Sequence, residues 1–204
     1  MSAIDDLLAL MVRLRDPDTG CPWDRQQTLA SIVPHTLEEA YEVADAIERN
    51  DPEAIRDELG DLLFQVVFYA RIGQEQGHFD FNTIAQGVHD KLIRRHPHVF
   101  ADQVVHDQAT QRATWEAIKA EERSAKAQDA STPVSALADV PTGLPALTRA
   151  KKLQSRAARV GFDWNTPQPV VAKIREELAE LEQAMGAEPA DAEHVAEEMG
   201  DLLF

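Results

Sequence analysis

The chain has 204 residues, of which 44% are hydrophobic and 27% are charged, and its formal net charge is −16. This length suits one large domain or two small ones. The acidic balance argues against a nucleic acid polymer as partner, because binding to a phosphate backbone needs clustered Lys and Arg. The single cysteine, Cys21, excludes an intramolecular disulfide, which is typical of a reducing cytoplasm. We therefore expect a cytoplasmic protein.

Neither a signal peptide nor a membrane span is predicted. The N-terminus lacks a basic stretch followed by an apolar one, which is what a signal peptide requires. The longest apolar run, over residues 62–70, is interrupted and far shorter than a bilayer requires. No membrane partner is expected.

The first half of the chain has the apolar spacing of helices. The pattern runs over residues 4–15 and then gives way, over residues 16–22, to turn residues that predict a loop. Thr36-Leu-Glu-Glu39 fits a capping box, which predicts that the next helix begins there. That helix should end near Arg49.

A second start signal follows at once. Asp51 can cap a helix whose first position is Pro52, and the helical pattern then continues to about Gln76. Further helices are expected from Asp80 or Asn82 to the residue before Pro97, and over residues 108–127. Because strand-like alternation is absent throughout, the sequence predicts an all-α fold.

An internal repeat is the most informative feature of the sequence. Residues 56–64 return as residues 196–204, and residues 38–42 return as residues 176–180. Residues 128–145 are rich in Ala, Ser, Thr, Asp and Pro, which is typical of a linker.

The repeat predicts two copies of one helical unit. We expect a first unit over residues 1–127, a linker over residues 128–145 and a second unit over residues 146–204. The second copy stops at Phe204 inside an expected helix. Either the natural protein is longer or this chain is a truncated product, and we expect the exposed apolar surface at that end to cause disorder, aggregation or capture of a partner.

Paired carboxylates occur at helical spacing in the first copy. Glu39 and Glu42 are three residues apart, as are Glu58 and Asp61, so each pair shares a helix face. The short connection between the two helices predicts antiparallel neighbours, which would bring the pairs face to face. Four such carboxylates repel one another unless a hard cation lies among them. Oxygen ligands favour Mg²⁺, or Mn²⁺, over zinc.

A solvated acidic helix face is the alternative interpretation, and it is common in acidic chains. Three features argue against it. The second pair lies among Leu59, Leu62 and Leu63, where a free acid is unfavourable. Gly60 stands between its members in mid-helix, which suggests close packing or the approach of a ligand. The whole pattern also occurs twice.

These motifs resemble one known family. The pattern EExxE followed by ExxD, with Cys-Pro-Trp-Asp upstream and His-Pro-His-Val-Phe-Ala-Asp downstream, is similar to the MazG family of all-α nucleoside triphosphate pyrophosphohydrolases. The resemblance to two-domain members covers almost the whole chain. It implies tandem helical bundles that dimerise, and a reaction that converts a nucleoside triphosphate and water to a monophosphate and pyrophosphate. By this resemblance the metal ligands are Glu39, Glu42, Glu58 and Asp61 in the first copy, and Glu177, Glu180, Glu198 and Asp201 in the second.

The resemblance also suggests which residues contact the triphosphate. Lys91 and Arg95 match family positions of this kind, as do Trp115 and Lys119, although Trp115 is equally compatible with simple packing. Lys173, one turn before Glu177, could reach a phosphate, and its first-copy counterpart is His35, a weaker cation. The neighbouring glutamates, Glu38 and Glu176, are candidates to orient the attacking water.

Three functions are therefore compared. A homodimeric, Mg²⁺-dependent nucleoside triphosphate pyrophosphohydrolase agrees best with the residues. The second is a non-catalytic, nucleotide-binding or regulatory helical dimer that keeps the carboxylate units as a scaffold. The third is a helical bundle for protein interaction, with no ligand. Release of pyrophosphate with and without Mg²⁺ separates the first from the others.

Overall fold

A computed structural model of the chain describes residues 2–101, 107–127, 135–164, 166–187 and 191–204. These residues contain helices and no strand, so the predicted all-α fold is confirmed. The helices are α1 Ala3–Leu14, α2 Pro22–Gln26, α3 Leu29–Glu48, α4 Pro52–Glu75, α5 Phe81–Arg95, α6 Pro97–Phe100, α7 Gln108–Ala127, α8 Ala146–Ala158, α9 Pro167–Gly186 and α10 Ala192–Leu203. The chain divides into two compact units, Met1–Ile118 and Lys119–Phe204.

The predicted boundaries at residues 127 and 145 stay a prediction. Within the second unit, residues 135–145 are held to α8, because Arg156 donates a hydrogen bond from Nη1 to the carbonyl of Ala138. Val140 is buried in the same stretch. No helix in the described part of the chain is both long and apolar enough to cross a membrane.

An antiparallel pair of helices, α3 and α4, forms the centre of the first unit. Asp51 caps α4 by accepting hydrogen bonds from the backbone N–H groups of Glu53 and Ala54, at 3.1 and 3.2 Å. Asn50, just before it, has a positive φ of 53°, which allows the sharp reversal. The predicted start of α4 at Asp51 and Pro52 is therefore confirmed.

A small apolar core fixes how α1 and α4 pack in this unit. Five side chains are almost fully buried together, namely Met11, Ile32, Val67, Phe68 and Ile72. Leu7 and Leu8 from α1 and Phe81 from α5 pack around them. Phe68 and Ile72 continue the helix stripe of α4 on which Glu58, Asp61 and Gln65 lie, so the core leads directly into these polar side chains.

The predicted start of α3 at Thr36 is wrong. The helix begins at Leu29, and the capping box is formed by Thr28 and Ser31, whose side chains bond to each other's backbone N–H groups. Thr36 lies inside the helix, where its hydroxyl donates to the carbonyl of Ile32 at 3.2 Å. Pro34 also lies inside the helix and removes one backbone donor near the helix start. Thr28 and Thr36 are both candidate N-cap residues by spacing, and Thr28 is the one that caps α3.

An arginine fixes the segment between α1 and α3. Nη2 of Arg15 lies 2.7 Å from Oε2 of Glu75 at the end of α4. Nη1 of Arg15 donates to the carbonyl oxygens of Asp24 and Gln27, on either side of the end of α2. The helix α2 was not predicted from the sequence. Arg15 holds α2 in place through hydrogen bonds to residues at its end and an ion pair with α4. Local sequence patterns do not reveal these contacts.

In the second unit, α9 and α10 form another pair of packed helices. Asp191 caps α10 by accepting from the backbone N–H groups of Glu193 and His194, at 3.0 and 3.3 Å. Leu181 and Ala184 on α9 are buried. The pairing places the second copy of the carboxylate motifs on adjacent helices, as in the first unit.

Candidate metal centre

Three carboxylates from two helices meet in the first unit. Glu39 lies on α3, whereas Glu58 and Asp61 lie on α4. One carboxylate oxygen from each lies within 4.8 Å of the others. The antiparallel pairing brings these groups together because each pair already shares a helix face. We refer to Glu39, Glu58 and Asp61 as the first carboxylate cluster.

Glu42 is the fourth predicted ligand of this unit and lies just outside the cluster. Its negative charge contributes to the raised pKa of the Glu39 carboxyl, and the residue is exposed. Glu42 therefore borders the cluster from the solvent side.

The electrostatic environment of Glu39 favours a cation. Burial raises the pKa of the Glu39 carboxyl above its ordinary value, and the negative charges of Asp61 and Glu42 raise it further. A hydrogen bond from Gln65 opposes this rise. Since both leading causes penalise the negative charge on Glu39, a nearby positive charge would stabilise it.

Gln65 is a feature of this site that the sequence analysis missed. Its side chain is buried on α4, and Nε2 donates to Oε1 of Glu39 at 3.4 Å. Gln65 lies one helical turn beyond Asp61. A polar residue at this spacing within an apolar stretch was the available signal.

A second set of three carboxylates meets in the second unit. Oxygens of Glu177 and Glu180 on α9 and of Glu198 on α10 lie within 4.8 Å of one another. Partial desolvation raises the pKa of the Glu180 carboxyl, although the residue is exposed, and the charges of Glu177 and Glu198 add to the rise. We refer to Glu177, Glu180 and Glu198 as the second carboxylate cluster. Asp201, also a predicted ligand, is exposed on α10 outside this set.

Lys173 gives the second cluster its own cation. Its Nζ lies 2.7 Å from Oε1 of Glu177 and 2.8 Å from Oε1 of Glu176. Glu177 is only 7% exposed, so the ion pair neutralises a buried carboxylate. The hydrogen bonds to Glu176 and Glu177 raise the pKa of the Lys173 ammonium, which keeps it charged. That Lys173 reaches a phosphate stays a prediction.

The two candidate water-orienting glutamates are exposed. Glu38 lies 3.8 Å from Nδ1 of His35, and its side chain is 67% exposed. Glu176 is similarly exposed and is paired with Lys173. Their role in orienting water stays a prediction.

The predicted triphosphate contacts lie on α5 and α7 in addition to Lys173. Lys91 and Arg95 are half-buried on α5, one turn apart. Trp115 on α7 is 37% exposed and lies against His96, with ring centroids 5.5 Å apart. Lys119 is half-buried, one turn later on α7. That these four residues bind phosphate stays a prediction.

The chemistry of both clusters suits a hard divalent cation. Their donors are oxygens alone, which is the set that Mg²⁺ and Mn²⁺ prefer. Oxygens bound to one Mg²⁺ lie at most about 4.2 Å apart, because each Mg–O distance is about 2.1 Å. The three oxygens of each cluster lie within 4.8 Å of one another and would move closer together around an ion, because adjacent oxygens on Mg²⁺ are about 3.0 Å apart.

Comparison with known proteins gives a concordant result. Residues 27–100, which span α3 to α6 and contain the first carboxylate cluster, match the MazG nucleotide pyrophosphohydrolase domain. All 204 residues align, at 56% identity, with the nucleoside triphosphate pyrophosphohydrolase of Escherichia coli K12, over 76% of that protein. This chain belongs to the MazG family.

Other MazG relatives extend the comparison. The nucleoside triphosphate pyrophosphohydrolase/pyrophosphatase MazG of Thermotoga maritima is 41% identical over 98% of this chain and 72% of its own length. A crystal structure of a mazG-related protein from Thermotoga maritima covers 57% of this chain and 98% of its own, at 26% identity and a TM-score of 0.48. The resemblance to the MazG family predicted from the motifs is thus confirmed, and both carboxylate clusters fall within the aligned regions of the two sequence relatives.

Proposed function

We propose that this MazG chain is a Mg²⁺-dependent nucleoside triphosphate pyrophosphohydrolase that converts a nucleoside triphosphate and water to a nucleoside monophosphate and pyrophosphate. The broader assignment, an enzyme of the nucleoside triphosphate pyrophosphohydrolase class, is supported by the full-length 56% identity to the Escherichia coli enzyme of that name. The dependence on Mg²⁺ and the roles of individual residues are our proposal.

The observation that carries the proposal is the convergence of carboxylates from two helices in each unit. Three oxygens lie within 4.8 Å of one another in both clusters. Two members, Glu39 and Glu180, have raised pKa values for which the causes are burial and neighbouring negative charge. Such an arrangement is unfavourable by itself and becomes favourable around a divalent cation.

Different side chains would bind the cation and orient the attacking water. Glu39, Glu58 and Asp61 would hold the cation in the first unit, with Glu42 beside them. Glu177, Glu180 and Glu198 would hold it in the second unit, with Asp201 nearby. A Mg²⁺ or Mn²⁺ ion held by these residues would supply the positive charge that polarises a phosphoryl oxygen and favours attack by water. Glu38 and Glu176 would orient the water that attacks the α-phosphorus.

Positive side chains would bind the rest of the triphosphate. Lys91 and Arg95 supply charge from one face of α5, and Lys119 supplies it from α7. Trp115, partly exposed on the same helix as Lys119, would lie against the nucleotide. Lys173 is held by Glu176 and Glu177 and would turn to phosphate when a cation satisfies Glu177. Charge of this kind stabilises the phosphoryl groups during transfer.

A second copy of the chain is part of the proposal. Leu37, Tyr41, Leu59 and Leu63, on α3 and α4, are 41–66% exposed. Large exposed apolar side chains on adjacent helices are favourably covered by a partner. We propose a homodimer that buries these side chains, and the mass of the full chain in solution, measured by light scattering, tests it. A monomer at micromolar concentration would contradict it.

Pyrophosphate release from each of the common nucleoside triphosphates, with and without Mg²⁺, tests the proposed reaction. Glu42→Ala and Glu180→Ala, compared side by side, should each lower turnover at its own unit. The matched controls, Glu48→Ala on α3 and Glu182→Ala on α9, replace exposed glutamates on the same helices and should leave turnover unchanged.

The outcomes separate the competing functions. Turnover that requires Mg²⁺ and falls in both site variants supports the proposal. Nucleotide binding without any release of pyrophosphate would favour the non-catalytic dimer. Neither binding nor turnover would leave only the ligand-free helical bundle.

A further inference from the structure

The side chain of Gln65 is buried at the inner edge of the first carboxylate cluster. It is 7% exposed and lies between Phe64 and Val66 in a helix whose neighbouring residues are apolar. Its Nε2 donates to Oε1 of Glu39 at 3.4 Å. A buried amide is destabilising unless its hydrogen bonds are made, so its presence at this position requires a reason.

The side-chain amide of Gln65 forms a hydrogen bond through Nε2 but none through Oε1. Oε1 of Gln65 is buried and has no hydrogen-bond partner among the described residues. Buried acceptors without a partner are uncommon in native proteins, and a water or ion completes many of them. Since Nε2 of the same amide contacts Glu39, the free acceptor lies beside the first carboxylate cluster.

A hydrated divalent cation supplies what this acceptor lacks. Mg²⁺ loses its waters reluctantly and keeps several of them when bound to carboxylates. Each of these waters is a hydrogen-bond donor. The carboxylate cluster would therefore bind the cation, and the unsatisfied Oε1 of Gln65 would accept a hydrogen bond from one of the waters that accompany it.

We propose that Gln65 is a positioning residue of the first metal centre, with Nε2 orienting the carboxylate of Glu39 and Oε1 accepting a hydrogen bond from a water that accompanies the cation. The inference rests on the proposed function, because it needs a divalent cation at the first carboxylate cluster. It adds a residue that the family motifs do not contain.

A hydrogen bond between α3 and α4 stabilises the helix pair close to Gln65. One turn further along α4, the hydroxyl of Tyr69 lies 2.8 Å from the hydroxyl of Thr36 on α3. This hydrogen bond fixes the spacing of the two helices next to the contact between Gln65 and Glu39. Partners that hold a metal ligand from behind normally set its orientation and its affinity for the metal.

The test replaces Gln65 with a side chain of similar shape that cannot form hydrogen bonds. Gln65→Met is made in the full chain, in a background where Glu180→Gln and Glu198→Gln silence the second carboxylate cluster. Calorimetric titration with Mn²⁺ then reports the first cluster alone. We expect binding about tenfold weaker than in the parent with Gln65 intact.

The thermal stability of the metal-free protein distinguishes positioning from a structural role. Replacing a half-satisfied buried amide with an apolar group of the same shape should leave the Tm unchanged or raise it. A control, Gln74→Met, changes an exposed residue on the same helix and should alter neither quantity. If Gln65→Met does not fold, Gln65→Leu provides the same comparison.

Each result has one meaning. Weaker Mn²⁺ binding at an unchanged or higher Tm supports the inference. Binding within about twofold of the parent, or a fall in Tm with unchanged binding, overturns it, because outer partners of a metal ligand normally change affinity by more. Failure of the parent itself to bind Mn²⁺ would instead refute the proposed function of the first carboxylate cluster.

Discussion

The two carboxylate clusters arise from one repeated motif but differ in the group that lies behind the key glutamate. In the first, Glu39 receives a hydrogen bond from the neutral amide of Gln65. In the second, Glu177 forms an ion pair of 2.7 Å with Lys173. The first-unit position corresponding to Lys173 is His35, whose Nδ1 lies 3.8 Å from Glu38. The same helix scaffold therefore presents a cluster with an internal cation and one with a neutral donor.

The difference shows that repeating a ligand motif does not repeat its electrostatics. A carboxylate that already holds an ammonium group must exchange it for the metal ion, whereas one held by an amide needs no exchange. The second cluster should therefore link cation binding to the release of Lys173 toward phosphate. The first cluster should bind the cation without such a step.

The largest expected effect comes from removing one ligand at a time. Glu58→Ala should weaken divalent binding in the first unit by about a hundredfold and leave the second unit unchanged, because the remaining carboxylates cannot enclose the ion. Glu198→Ala should do the reverse. Titration of the full chain with Mn²⁺ measures both sites.

Matched controls for these variants are Glu53→Ala on α4 and Glu197→Ala on α10, both at exposed positions. Loss of binding in the control variants would mean that bulk charge, rather than the convergent carboxylates, attracts the ion. Equal effects of one variant on both units would contradict the assignment of one ion to each cluster.

An intermediate effect is expected from exchanging the neighbouring cation. Lys173→Met should tighten Mn²⁺ binding in the second unit by about threefold, since the Lys173 side chain is 45% exposed and water screens its charge, and should weaken nucleotide binding there. The reciprocal change, His35→Lys, should weaken Mn²⁺ binding in the first unit by a similar factor. Calorimetry without nucleotide measures both. Unchanged binding in both variants would remove the proposed difference between the units.

The smallest expected effect is a dependence of stability on pH. The Glu39 carboxyl has a raised pKa in the folded protein, so the folded state binds its proton more tightly than the unfolded state. In chelator, stability should then fall as pH rises above the ordinary glutamate value of 4.5. Glu39→Gln should flatten this fall, by about 2 °C in Tm.

The matched variant for this effect is Glu180→Gln, because the Glu180 carboxyl has a raised pKa for the same reasons. Thermal melts at a series of pH values, with and without Mg²⁺, give the comparison. A parent whose stability falls no more steeply above pH 4.5 than that of the two variants would contradict the stated cause.

Local signals predicted much of this architecture. The cap at Asp51 and the proline after it act within one turn, so the start of α4 could be predicted from the sequence. The facing of Glu39 toward Glu58 and Asp61 follows from helical spacing and a short connection. Thr36 misled because its spacing to Glu39 imitates a capping box, while Thr28 provides the actual cap.

Other features depend on contacts between distant residues. Gln65 is recognised as part of the site only once α4 is packed against α3, because the contact with Glu39 joins two helices. Arg15 likewise bonds to Glu75 across the unit, and α2 is held in place through it. Sequence spacing along one helix contains no information on such pairs.

The most direct test of the central claim is a crystal structure of the full chain with Mn²⁺ and a non-hydrolysable nucleoside triphosphate analogue. Our account predicts anomalous density for Mn²⁺ within bonding distance of carboxylate oxygens from both helices of a cluster and of the triphosphate. The oxygens of Glu39, Glu58 and Asp61, or of Glu177, Glu180 and Glu198, should surround it. Mn²⁺ bound elsewhere, or nucleotide bound at saturating Mn²⁺ with both clusters empty, would contradict it.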